Sequence, residues 1–410
     1  MQNKYLYSLL SINIIFVIYI INFLFQNEYL PSPFIYDKND TFMDFFNPLY
    51  WAYSESKYTI WNSVYPPLSF IILKFINMLS GSVLAEDPFL LREVSSNIKY
   101  MIFLIYLLSP ALVIYNYRKE DFSLKKKLII YFIFISSIPF LFTLERGNLI
   151  ILSLPLLSVL FLKGNDMLKI LCISLLINLK PYFILLIIPY FLHKKWKILV
   201  KIPFFSLLIY VITTVILGSS FFAFLLNLSG FNTSIFSMRE IMSIPSSISN
   251  FSIFIENYKD IPMPELFNII NILITFFYYL LLSFVAYVLI KFRESLSEQE
   301  IFLIILLAMM SFLYQIGGYS TIIFLILVPI LYKNFKYGSI AVFLIFLPLD
   351  FVPIYTDMIY NRPSYFSNNN VDIKYTLGFG AILRPIMIYI LLLYISTSIF
   401  VRNSDCRNYF

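Results

Sequence analysis

Charge is scarce in this sequence. Only 13% of its 410 residues are Asp, Glu, Lys or Arg, about half the share that a soluble domain carries. So thin a polar coat argues against a water-soluble globule. There is one histidine, His193, and there are two cysteines, Cys172 and Cys406. That supply gives no zinc ligand set and no disulfide framework. His193 opens the basic run His193-Lys194-Lys195-Trp196-Lys197 and reads as part of a membrane-surface anchor. Glycine is also rare, at ten residues, and none is arranged as a phosphate loop or a dinucleotide fingerprint. No nucleotide cofactor and no metal is expected. A period of 20–50 residues is absent too, so the chain is not a repeat array.

Apolar sequence fills the space that charge leaves. Hydrophobic residues make up 60% of the chain, and stretches near the spanning length of roughly 18–20 residues recur along it. The candidate spans are 5–25, 98–117, 128–144, 148–163, 167–180, 181–193, 198–218, 266–291, 301–316, 320–333, 337–354 and 377–401. The expected fold class is all-α: a polytopic bundle of about twelve transmembrane helices, with some short pieces as broken helices lining a cavity. Two modules are expected, 1–218 and 219–410. The stretch 5–25 is too long for a signal-peptide core and has no small-residue cleavage site after it, so it reads as the first membrane helix.

The net charge of +7 matters here for where it sits. The segment 68–80 is apolar but short, and it carries Lys74. If it crossed, the basic loop of Arg118, Lys119 and Lys125–Lys127 would fall outside, against the positive-inside tendency. If it stays on one side, that loop and the runs at 194–201, 291–293 and 333–336 all fall inside. The second topology is preferred and puts both termini in the cytoplasm. The polar material outside then lies in three loops, 26–97, 219–264 and 355–376, expected to carry short interfacial helices. A transporter keeps its loops short and its polar groups at mid-membrane. Investment in outer loops favours an enzyme working at that face.

The first outer loop holds Asp37, Asp40 and Asp44, followed by Tyr50-Trp51-Ala52. Asp40 and Asp44 are four apart and share one face of a helix. A partly desolvated carboxylate at this level can serve as general base toward a hydroxyl, although a solvated capping loop has the same spacing. Tyr65-Pro66-Pro67 fixes the start of a further helix. Glu145-Arg146-Gly147-Asn148 interrupts an apolar hairpin, where a charged pair is costly unless paired or functional. It is either a turn pair or an anion site, and a guanidinium suits bidentate phosphate binding. Lys180-Pro181 breaks another apolar run, with Lys180 either reaching outward or holding an anion. Arg239, Arg362 and Arg384 are further outer-face cations, Arg384 lying within an apolar helix. Gly317-Gly318 reads as a turn.

These motifs, in this order, resemble glycosyltransferase family 87 among the polytopic GT-C-fold transferases. The resemblance rests on Asp44-Phe45 with Tyr50-Trp51-Ala52, on Tyr65-Pro66-Pro67, on Arg146-Gly147-Asn148 and on Lys180-Pro181. It spans about residues 35–200, with Asn148 where the family usually has Gln. It implies a polyprenyl-phosphate sugar as donor, a glycan or glycolipid as acceptor, membrane lipids as surroundings and no nucleic acid. It also implies a bacterial inner-membrane location. Asp44, or Asp40 as second choice, would be the base. Arg146 and Lys180 would hold the donor phosphate, with Glu145, Asn148, Tyr65 and Arg384 as supporting binding residues. Two other functions stand as alternatives: an O-antigen-type polymerase, which is also polytopic with large outer loops, and a lipid-linked oligosaccharide flippase, which twelve helices suit but long outer loops and clustered carboxylates at one face do not.

Overall fold

Where no water can satisfy the backbone, each segment must close its own hydrogen bonds, and runs of Leu, Ile and Phe do so as helices. The computed structural model describes residues 2–34, 37–82, 84–117, 122–162, 164–230, 264–313, 318–351, 353–367 and 369–405. Most of the expected outer loop at 219–264, with Arg239, lies outside the described residues, as do Arg118, Lys119, Gly317 and Cys406.

The chain opens with α1 (Gln2–Asn27). Three short helices follow, α2 (Met43–Tyr53), α3 (Pro67–Ser80) and α4 (Pro88–Val94). Next come α5 (Ser96–Tyr115), α6 (Leu124–Ile135), α7 (Ile138–Arg146), α8 (Ser153–Leu160) and α9 (Asp166–Leu179). A 3-10 stretch, Pro181–Ile187, leads into α10 (Ile188–Leu192), α11 (Trp196–Leu217) and α12 (Ala223–Gly230). The second half holds α13 (Pro264–Lys291), α14 (Glu298–Phe312), α15 (Phe324–Asn334) and α16 (Gly338–Phe346). An antiparallel hairpin of β1 (Pro353–Pro363) and β2 (Asn370–Gly378) precedes α17 (Phe379–Asp405).

Every apolar segment expected to span contains helix, but twelve full crossings are not confirmed among the described residues. Among the described residues four helices are long and apolar enough to cross alone: Lys4–Asn27, Ser96–Tyr115, Trp196–Leu217 and Ile382–Ser404. A fifth arises if α6 and α7, bent by 53°, form one span. Proline is one cause of the shortening. It removes a donor and disfavours helical geometry at the residue before it. Thus Lys180 is extended, at φ −144° and ψ 111°, and ends α9 ahead of Pro181.

Among the described residues the hairpin is the exception to an otherwise helical fold, and it falls on the outer loop expected at 355–376. Its second strand alternates Val371, Ile373, Tyr375 and Leu377 with Asp372, Lys374 and Thr376, the period of a strand and not of a helix. Pairing runs from Pro353 opposite Gly378 to Pro363 opposite Asn370, with an irregularity between Tyr355 and Ile359.

One buried apolar cluster draws on both halves of the chain, from Leu6 and Leu9 to Ile395 and Ile399. At its centre α14 is buried without interruption from Glu300 to Leu307, as befits a helix that is apolar all round. The two ends of the bundle differ in charge. At one, Lys169 and Lys195 both pair with Glu298, and Arg402 pairs with Glu300 at 2.9 Å. At the other stand Glu28, Asp37, Asp40, Asp44 and Arg146. α3 is tied to this second end by both termini. Ser69 Oγ near its start donates to Leu179 O at 3.4 Å, and Asn97 Nδ2 at the start of α5 donates to Ser80 O at 3.1 Å. Both ends of the short segment 68–80 are thus hydrogen-bonded to the ends of neighbouring helices.

Candidate active site

The site begins with a glycine. Gly147 ends α7 in the left-handed region at φ +68°, a conformation glycine adopts at little cost. A Cβ there would lie 3.1 Å from Phe45 Cβ and 3.3 Å from the Phe42 backbone. The chain can thus reverse against the start of α2, and Arg146 and Asn148 both face that helix. Phe42, the residue before α2, is itself left-handed at φ 63°, an uncommon conformation for a bulky side chain. Its N–H donates to Glu145 O at 2.7 Å, which docks the acidic loop on the end of α7. Tyr106, buried in α5, donates to Thr143 O at 2.7 Å and Asn148 O at 2.8 Å and fixes the turn from behind.

On this frame the Arg146 guanidinium forks. One arm donates to Asp40 and the other to Asp44 Oδ1. Asn148 Nδ2 donates to Asp44 Oδ2 at 2.7 Å, so both oxygens of Asp44 are oriented. The Arg146 side chain is 10% exposed, Asp44 19% and Asp40 43%. Asp44 is therefore the sheltered carboxylate and Asp40 the wetter one.

Tyr65 and Lys180 complete the group. The Tyr65 hydroxyl lies 3.5 Å from Asp44 O. Burial pushes its phenol up, and the Asp44 carboxylate pushes it further, so Tyr65 stays neutral at ordinary pH. The Lys180 ammonium sits 4.8 Å from the centre of the Tyr65 ring, a cation–π contact, within electrostatic reach of Asp44. Among the described residues no carboxylate forms a salt bridge with it. Of the two cations expected for phosphate, Arg146 is engaged by Asp40 and Asp44, and Lys180 lies over the Tyr65 ring.

Residues expected in the site thus fall into two groups. Asp40, Asp44, Tyr65, Arg146, Asn148 and Lys180 converge from four stretches of chain. Glu145 is buried beside them and contributes its carbonyl to Phe42. Arg384 is occupied elsewhere: it pairs with fully buried Asp350 at 2.5 Å and donates to Leu347 O at 3.3 Å and Ile345 O at 3.4 Å. None of its hydrogen bonds reaches the Asp44 group.

Sequence reasoning passed over three elements. Arg92, buried in α4, donates to the carbonyls of Lys38, Asn39 and Thr41 at 2.9, 2.7 and 3.1 Å and pairs with Glu93. It holds the loop that presents Asp40, and 51 to 54 residues of sequence separate donor from acceptors. The hairpin also reaches the site. The Tyr365 hydroxyl is 2.7 Å from Thr41 Oγ1, Arg362 approaches Asp37 at 3.6 Å, and Tyr365 N donates to Glu28 O at 3.0 Å. Burial, and then Glu145, pushes the Tyr365 phenol up. The third is Asp350. An acidic residue inside one apolar segment and an arginine inside another is a legible signal for a pair.

Among the described residues no group of three or more His, Cys, Asp or Glu side chains is placed to hold a metal ion. A family model described as glycosyltransferase family 87 matches residues 64–315, more than half of the chain. The match takes in Tyr65, Arg146, Asn148 and Lys180 but begins after Asp40 and Asp44. No curated protein and no solved structure matches.

Proposed function

The chain belongs to glycosyltransferase family 87, and from that premise we propose that it moves a sugar from a polyprenyl-phosphate donor to a hydroxyl of a glycan or glycolipid. The reaction takes place at the extracytoplasmic face of a bacterial inner membrane, on a GT-C-type scaffold. The observation that carries this reading is the convergence of an oriented carboxylate, Asp44, with Lys180, a cation that pairs with no carboxylate among the described residues, on the acidic end of the bundle.

The chemistry follows from that pairing. The Asp44 carboxylate takes the proton of the acceptor hydroxyl, whose oxygen forms a bond to the anomeric carbon of the donor. The bond from that carbon to the phosphate oxygen breaks, and its electron pair leaves with polyprenyl phosphate. Lys180 neutralises the charge that builds on the phosphate, and electrostatic stabilisation of a leaving group is often the largest catalytic term. Arg146 and Asn148 aim the base. Arg146 can also turn one arm to the phosphate when donor is bound, which frees Asp44 to accept a proton. Asp40 keeps the other arm in place.

The test uses purified protein in nanodiscs with a radiolabelled polyprenyl-phosphate sugar and a membrane extract as acceptor. Asp44→Asn is expected to lower transfer by roughly 10²–10⁴, the range for a general base, while the protein still inserts and binds donor. Lys180→Ala is expected to raise the donor KM and lower kcat. Transfer within a few-fold of wild type in Asp44→Asn removes this residue from the mechanism.

A further inference from the structure

We infer that Trp51 and Trp61 form a stacking platform for a pyranose ring of the acceptor glycan, at least one sugar unit away from the hydroxyl that reacts at Asp44. The inference rests on the transferase reading above and extends it to the acceptor.

α2 buries Met43, Phe45, Phe46, Pro48, Leu49 and Ala52. Its half-open positions include Asp44, Asn47 and Trp51. At 100° per residue these three fall on one stripe of the helix. Asp44 and Trp51 are seven residues apart, about 10 Å along the axis at 1.5 Å per residue. A disaccharide spans such a length, and a single ring does not. The stripe that presents the base therefore runs on to an aromatic surface.

That surface is built rather than incidental. Trp61 stacks on Trp51 with centroids 5.8 Å apart and an interplanar angle of 21°. Tyr50 meets Trp61 edge-on at 6.2 Å, and its hydroxyl is tied to Glu86 O at 2.8 Å. Backbone bonds set the loop that carries Trp61: Ile60 N donates to Ser56 O at 3.0 Å and Ser63 N to Lys57 O at 3.1 Å. Trp61 remains 41% exposed. An exposed, pre-ordered indole offers an apolar body with a polar edge, which suits the C–H face of a pyranose. Asn47 and the exposed Asn62 stand nearby in sequence to meet its hydroxyls. The Trp51 Nε1–H is buried and donates to no described group. Buried donors of that kind are uncommon.

Tryptophan also gathers at bilayer interfaces, and the experiment separates the two roles. The chain has three tryptophans, and Trp196 starts α11 at the opposite, basic end. In Trp196→Phe protein all indole emission comes from the pair. In nanodiscs made with brominated-tail phospholipid, emission is expected to fall by less than a tenth. Loss of most of the signal puts the rings among acyl chains and overturns the platform.

The same protein is then titrated with methyl glycosides of glucose, mannose and galactose, from one to three units long. Di- and trisaccharides are expected to shift the emission and single sugars are not. Absence of any shift overturns the platform. In transfer assays Trp61→Ala is expected to raise the acceptor KM by about ten-fold, the upper end for one aromatic contact, with the donor KM unchanged and Trp61→Phe close to wild type. An unchanged acceptor KM in Trp61→Ala also overturns it. Asp44→Asn is expected to keep the emission shift while losing turnover. Retained turnover there would sink the assignment of the base and leave the platform standing.

Discussion

Arg146 is the centre of the charge arrangement, and its replacement has effects that can be worked out in sequence. Lysine keeps the charge but not the fork, so it can serve Asp40 or Asp44 but not both in the same geometry. The bond lost is charge-assisted, and such bonds are each worth about 1.5–3 kcal/mol. Asp40 is 43% exposed, so solvent screens its share and the lower end applies. Arg146→Lys is therefore expected to cost about 1–2 kcal/mol of stability. Alanine is worse. It leaves sheltered Asp44 without its counter-charge and beside Asp40, a loss in the range of roughly 3–5 kcal/mol for a buried pair with one partner removed. Neutralising the second carboxylate relieves the repulsion. Asp40→Asn in the Arg146→Ala background is thus expected to restore stability, with a coupling of about 0.5–3 kcal/mol. The assay is denaturant unfolding of the four proteins in one detergent, read by a tag-independent signal. A further loss in the double variant, or less than 1 kcal/mol lost in Arg146→Ala, would refute the fork as a working ion-pair network.

Other perturbations test separate parts of the structure. Gly147→Ala places a methyl 3.1 Å from Phe45 Cβ in a left-handed conformation, and about 1–2 kcal/mol of backbone strain is expected before the contact is counted; wild-type activity and stability there would show that the reversal tolerates a side chain. Arg92→Ala strips three carbonyl bonds from the acidic loop and is expected to lower kcat at least ten-fold with membrane insertion intact; an unchanged kcat would mean that the loop holds itself. Asp350→Ala leaves Arg384 buried without its partner, at a cost of roughly 3–5 kcal/mol, and an apolar pair at both positions is expected to recover most of it. At the basic end, burial alone would raise the Glu298 carboxyl, but Lys195 and Lys169 outweigh it and hold it below the usual carboxylate range. A depressed acid contributes stability above its unfolded pKa, near 4.3, and loses it as pH falls through the lower folded value. Glu298→Gln is therefore expected to destabilise at pH 7 and to flatten the loss below pH 4; the same acid-side slope as wild type would contradict this.

Much of the site was legible because its chemistry sits in short motifs. Asp44, Arg146-Gly147-Asn148 and Lys180-Pro181 are each conspicuous against apolar sequence, and the structure brings them together. Spacing did not reveal how they divide the work. The fork of Arg146 over two carboxylates depends on the turn at Gly147 and on the left-handed Phe42, neither of which has a periodic signature. Arg92 was invisible because its partners are backbone carbonyls, which every residue has. The bundle itself was plain from hydropathy. The number of crossings was not, since Pro181 cuts one apolar run into short pieces and the Ser136-Ser137 step with Pro139 bends another by 53°. The strand pattern at 371–377 was present but outweighed by its place between two membrane segments.

A cryo-electron microscopy structure with a polyprenyl-phosphate sugar bound tests the central assignment most directly. The phosphate is expected within hydrogen-bonding distance of Lys180 Nζ, with the anomeric carbon turned toward the Asp44 carboxylate. A phosphate held at the opposite end of the bundle, or beside Arg384 with Lys180 still stacked on Tyr65 and untouched, would contradict it.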